Sequence, residues 1–105
     1  MKLFEGHREY RAALEMAAAG GQALFLHPWG APSHIRCFNG VRWIGKLFDR
    51  DRSRLVTTGR RLGVRVIVVD REGQESQHID LVGRPLERAK GLCTHESSVE
   101  AVHAS

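Results

Sequence analysis

The stretch Leu62–Cys93, LGVRVIVVDREGQESQHIDLVGRPLERAKGLC, decides the fold. Val64, Val66, Ile67, Val68 and Val69 are β-branched and interrupted only by Arg65. A run this continuous predicts a strand covered on both faces rather than one alternating between core and water. Gly63 ends what precedes it and Asp70 closes the run. Arg71-Glu72-Gly73-Gln74 then has the composition of a turn. Further on, Ile79 and Leu81 are apolar at alternate positions, flanked by His78 and Asp80. Pro85 follows closely, and proline suits a first helical position because its missing N–H would be unpaired there anyway. Leu86, Ala89 and Cys93 recur at helical spacing with Glu87, Arg88 and Lys90 on the other side, which predicts a helix from about Pro85 to Cys93.

Working outward, Arg8–Ala19 carries an apolar stripe of Tyr10, Ala13, Leu14 and Ala17, and its alanines favour helix. Gly20-Gly21 stops it and Gln22–Leu26 reads as a short strand. The loop His27–His34, HPWGAPSH, holds too many prolines and glycines for regular structure. Ile35–Ile44 centres on Asn39-Gly40, the strongest short hairpin signal, although Arg36 would share a side with Phe38 and Trp43. Asp49 or Asp51 can cap a second helix, Arg52–Leu62, with Leu55, Val56, Gly59 and Leu62 inward and Arg54 and Arg61 outward. The segments RAALEMAAAGGQALFL and SRLVTTGRRLGVRVIVV both run helix, glycine, strand. The expectation is one α/β domain over residues 1–93: a small mixed sheet with a parallel core, one hairpin and about three helices. THESSVEAVHAS, residues 94–105, has little to bury and is expected to be a disordered tail with a weak helical turn around Val99–Val102.

With 105 residues the chain has one domain's length. Its two cysteines, Cys37 and Cys93, are too few for a disulfide scaffold and match no zinc spacing, so both are read as reduced thiols of a cytoplasmic protein. No apolar run is long enough to span a membrane, and Met1–Arg11 has no stretch like a secretory signal, so no membrane partner is expected. The net charge of +4 is uneven. Between Arg42 and Arg71 stand nine lysines and arginines against three acids. That excess favours a phosphate-bearing partner, nucleic acid or nucleotide, held by Arg54, Arg61 and Arg84, and it is equally compatible with a merely solvated face. Trp29, Phe38 and Trp43 near this segment could stack on bases, but aromatics are more often core residues.

Ligands of parallel α/β sheets bind beyond the carboxyl ends of the strands, where His27 and Asp70 are expected. The helix starting near Pro85 offers unpaired N–H groups, with His78, Asp80 and Arg84 just before it. In an extended His-Ile-Asp segment, His78 and Asp80 point to one side. They can serve as a metal pair, an acid/base pair or phosphate holders; the plainer alternative is a cap at Asp80 and a surface His78. A small, metal-assisted hydrolase would use His78 as acid/base or ligand with Asp80 and Asp70 as its carboxylates. His27, His34 and His78 are the candidate metal ligands, and Cys37 has the right chemistry, but their intervals fit no standard zinc pattern. Neither GxGxxG nor GxxxxGK[ST] occurs, so no nucleotide cofactor is implied. A third reading is a protein-interaction module or homodimer pairing through the hairpin edge.

The segments WIGKLFD, LVTTGRRLGV and HIDLVGRPLERA together resemble a bacterial family of small domains of unknown function. Its pattern is a Trp/His-Leu…Asp segment, a helix ending in Leu-Gly, and a later His-Tyr-Asp-Leu/Val before a helix. Trp43, Leu47, Asp49, Leu62, Gly63, His78, Asp80 and Leu81 match it; Lys46 stands where histidine is usual and Ile79 where tyrosine is. The resemblance covers about half the chain, carries no activity with it, and implies that the His78/Asp80 pair is more than a surface accident.

Overall fold

The structure, a computed structural model, describes residues 1–28 and 43–104, with side chains to Cys93. The expected hairpin around Asn39-Gly40, and with it Trp29, His34, Cys37 and Phe38, lies outside the described residues. The chain runs through β1 (Lys2–Glu5), a 3-10 turn (His7–Glu9), α1 (Tyr10–Ala18), β2 (Ala23–Pro28), β3 (Trp43–Phe48), α2 (Arg52–Arg61), β4 (His78–Leu81) and α3 (Gly83–Ala104). The strands form one mixed sheet in the order β1-β2-β3-β4. Only β1 and β2 are parallel, joined across α1; the other two pairs are antiparallel. The α/β domain is as expected, but its parallel pair lies at the sheet edge rather than in the middle.

Alternation along the strands divides the core into two layers. On one face, Phe4, Ala23, Phe25 and Phe48 pack under Ala13, Leu14 and Ala17 of α1. On the other, Leu24, Leu26, Leu47, Ile79 and Leu81 meet Leu55 and Leu62 of the α2 region and Leu86, Ala89 and Cys93 of α3. The three inward stripes read from the sequence are therefore core, except that Tyr10 is exposed and Val56 half-buried. Asp51 caps α2 by accepting from the Arg54 amide at 3.0 Å. No helix among the described residues is long and apolar enough to cross a membrane. The last helix continues past Cys93 to Ala104, through residues expected to fray; no glycine or proline after Gly91 stops it.

The strand expected over Val64–Val69 does not form. Among the described residues its single link to the sheet is a bridge between Asp70 and His78, whose amides and carbonyls exchange bonds of 2.8 and 3.0 Å. Val64, Ile67 and Val69 lean on the core, while Val66 and Val68 are 80% and 61% exposed. Gly63, at φ +95°, turns the chain out of α2 in a conformation that side chains resist. Any Cβ there would also strike the Arg88 guanidinium, which reaches over to donate to the Leu62 carbonyl at 2.9 Å. The helix end is thus pinned to α3, and the valine run leaves it beside the sheet edge rather than within the sheet.

One buried carboxylate ties the layers together. Asp49, fully buried after β3, accepts from Arg54 Nε and Nη2 at 2.7 and 2.8 Å, from Gln22 Nε2 at 2.9 Å and from the Asp51 amide at 2.9 Å. Arg54 Nη2 also donates to the Gly20 carbonyl at 2.7 Å. Gln77, itself buried, donates to the Asp49 carbonyl at 2.9 Å and accepts from the Gly73 amide at 2.9 Å, which fixes the turn between Asp70 and His78.

Candidate functional site

The face of the sheet that α1 covers is apolar only over part of its area. Strand register puts Phe25 beside Lys46, Lys46 beside Asp80, and Phe48 beside His78, all on this face. His27, two residues beyond Phe25, shares it. Past the edge of β4, the bridge brings in Asp70. Five ionisable residues (His27, Lys46, Asp70, His78 and Asp80) thus gather at one end of the face. Aromatic rings lie between them and the body of α1: Tyr10, the first residue of α1, meets Phe25 and Phe48 edge-on at 5.3 and 5.8 Å, Phe48 meets the His78 ring edge-on at 5.5 Å, and Phe25 stacks on His27 at 6.0 Å.

His78 is the centre of the group. It is 4% exposed, and its Nδ1 donates to the Ser76 carbonyl at 2.8 Å. That bond holds the ring and, in the neutral imidazole, leaves Nε2 as the nitrogen with the lone pair. Around Nε2 stand Asp80 Oδ1 at 3.4 Å, Lys46 Nζ at 3.5 Å and Asp70 Oδ2 at 3.8 Å. None of these is a tight hydrogen bond, whose usual N···O length is about 2.9–3.0 Å. Asp80 Oδ1 is buried and has no hydrogen-bond partner. The ligand atoms of Asp70, His78 and Asp80 all lie within 4.8 Å of one another.

Charge follows from these surroundings. Burial alone would raise the Asp80 carboxyl, but the His78 imidazole, the Lys46 ammonium and Asp70 outweigh it and hold the carboxyl below its usual range. Burial holds the His27 imidazole below its ordinary value, with Lys46 adding to the effect and the Pro28 carbonyl and Asp80 opposing it. His27 Nδ1 lies 3.2 Å from the Pro28 carbonyl, and its buried Nε2 has no partner. His27 stands on the same face, yet it is not among the three residues whose ligand atoms cluster.

Of the residues singled out from the sequence, then, the fold unites His78, Asp80 and Asp70, with His27 nearby. Arg84 is exposed at the start of α3 and joins no contact with them. Arg54 holds Asp49, and Arg61 is exposed at the end of α2. Lys46 was not singled out; its only signal in the sequence was its place where the resembled family has a histidine. Alongside the cluster runs a cleft of about 560 Å³, lined by Val64, Val66, Val68, Ile79, Val82 and Pro85, and reached by Asp70 and Asp80. The exposed valines of the failed strand form its outer wall. Comparison of the chain with protein-family models, with curated proteins and with solved structures finds no match in any of the three.

Proposed function

We propose that this protein holds a divalent transition metal through His78, Asp70 and Asp80 and uses it in hydrolysis of a substrate lying in the adjoining apolar cleft. The observation that carries the reading is His78: a buried ring, fixed through Nδ1, with Nε2 aimed between two carboxylates. A metal-bound histidine is typically oriented in this way by a carbonyl or carboxylate behind it. The spacing fits as well. Two donors on a tetrahedral metal at 2.0–2.1 Å stand about 3.3 Å apart, and His78 Nε2 lies 3.4 and 3.8 Å from the two carboxylate oxygens.

Imidazole with carboxylates suits zinc or manganese better than calcium or magnesium. Three protein ligands leave a position open, and a metal held so supplies an activated water near neutral pH. The remaining work falls to the chain itself. Lys46 brings a positive charge to the same point, able to steady an oxyanion as it forms. The valine-lined cleft would hold the apolar body of the substrate against Asp70 and Asp80.

Calorimetric titration with Zn²⁺ and Mn²⁺ tests this. Asp70→Asn is the informative variant, because the Asp70 side chain is 48% exposed and its loss should leave the fold intact. It and His78→Gln should each weaken metal binding about 10–100-fold, and hydrolysis of chromogenic phosphate and carboxylate esters should fall with it. Equal affinity in wild type and both variants would sink the reading.

A further inference from the structure

A second cleft lies where the Val64–Val69 segment meets α2. It encloses about 490 Å³ and is lined by Arg52, Val56 and Arg60 of α2 and by Arg65, Ile67 and Val69. Two periodicities build it. Residues 52, 56 and 60 are four apart and share a stripe of α2. Ile67 and Val69 alternate along the segment after α2, and Arg65, exposed at its bend, lines this cleft and the valine-lined one alike. The result is a cleft in which three arginines are set among Val56, Ile67 and Val69.

We propose that this cleft is an anion site that takes phosphate groups, either of a free nucleotide or polyphosphate or of a nucleic-acid strand. The side chains of Arg60 and Arg65 make no hydrogen bond or ion pair among the described residues, and that of Arg52 pairs only with Glu72 at the surface. The protein therefore sets a single carboxylate against three converging positive charges, whose mutual repulsion a bound anion relieves. Guanidinium forks match phosphate oxygens in bidentate geometry, and their stems lie well against an aliphatic floor. A merely solvated basic face would spread its arginines over the surface of the helix, as Arg61 is spread, and would not turn three of them into one concavity. Asp70, His78 and Asp80 do not line this cleft, so it stands or falls apart from the metal reading.

The test uses the whole chain with three probes: inorganic pyrophosphate, a nucleoside triphosphate and a labelled single-stranded oligonucleotide. Arg60→Gln and Arg65→Gln remove cleft charges from exposed positions, and Arg61→Gln removes an equal charge outside the cleft. Binding should weaken at least 10-fold in each cleft variant and hardly change in Arg61→Gln, with thermal melts confirming that all three variants fold. If the phosphate comes from a strand, the oligonucleotide binds best and loses about 20-fold between 50 and 200 mM salt, as about three phosphate contacts require. If it is free, pyrophosphate or the triphosphate competes the strand away; either result supports the site. Absence of binding by all three probes at low salt, or equal loss in Arg61→Gln, would overturn it.

Discussion

At the scale of single residues, the site turns on how little holds His78 Nε2. Its three neighbours stand at 3.4–3.8 Å, and one of them is already a cation, Lys46. The ammonium stands 3.5 Å from the same Nε2 that a metal would take, with no ion pair to Asp70 or Asp80 to hold it there. Lys46→Ala should therefore tighten Zn²⁺ binding several-fold while lowering hydrolysis, a split that calorimetry and an esterase assay on the same sample read directly. Weaker metal binding in this variant would mean that Lys46 supports the ligands rather than competing with the ion. The His-x-Asp pair was legible in the sequence because two residues two apart on a strand must share a face. Asp70 was legible as the end of the valine run. Lys46 was not, because its place beside Asp80 depends on the register of β3 against β4, and nothing local in WIGKLFD encodes that partner.

Asp49 shows the same limit with a different outcome. The sequence offered it as a helix cap; the fold buries it completely and makes it the centre of a network joining Gly20, Gln22 and Arg54. Burial pushes its carboxyl up, but hydrogen bonds from Arg54, Gln22 and the Asp51 amide prevail and hold it below the ordinary value. A carboxyl with a depressed folded-state pKa contributes stability that is complete above its unfolded value of about 3.9 and is lost as pH falls toward the folded one. Chemical denaturation from pH 6 to pH 2 should show this loss. Arg54→Ala, which leaves a buried carboxylate without its ion-pair partner, should cost about 2–4 kcal/mol at pH 7 and flatten the acid limb. An acid limb of unchanged slope would show that other groups govern it.

At the scale of elements, the helices were read well and the strands poorly. Helical stripes repeat over three turns, and each buries its own side: Ala13, Leu14 and Ala17 in α1, Leu86, Ala89 and Cys93 in α3. Strands are defined by partners. β1 is four residues and went unread as a strand, although it forms the only parallel pair among the described strands. The valine run has the composition of a central strand yet finds only the edge of β4, which it touches at Asp70 alone. Composition records a preference for extended backbone, and the position of α2 and α3 decides whether a partner is within reach. Gly45 marks how close that packing is. A Cβ built there would lie 2.5 Å from Leu86 Cδ1 and 2.9 Å from Leu24 Cδ1, both in the core between the sheet and α3. Gly45→Ala should destabilise the protein by about 1–3 kcal/mol through overpacking, measurable as a lower denaturation midpoint at unchanged slope. A neutral result would show that α3 moves away from the sheet freely.

At the scale of the whole molecule, the Val64–Asp70 segment is the common wall of both clefts. It lines the valine-rich cleft by Asp70 and Asp80 and the arginine-rich one beside α2, with Arg65 common to both. Among the described residues it is bonded to the sheet only at Asp70, with one further backbone bond from the Val64 amide to the Gly59 carbonyl. Segments with few such bonds open at low free energy, independently of global unfolding. A metal held jointly by Asp70 on this segment and by His78 and Asp80 on β4 would clamp the wall to the sheet. Hydrogen exchange of the Val64–Asp70 amides should then slow by the factor that binding adds, about 100-fold with metal at a hundred times its dissociation constant. The amides of β1 and β2, which belong to the opposite side of the sheet, should respond only through global opening. Asp70→Asn should abolish the local protection without altering exchange in the apo protein. Tight binding that left the Val64–Asp70 amides exchanging as before would place the ion elsewhere, and would free the wall to move between the two clefts.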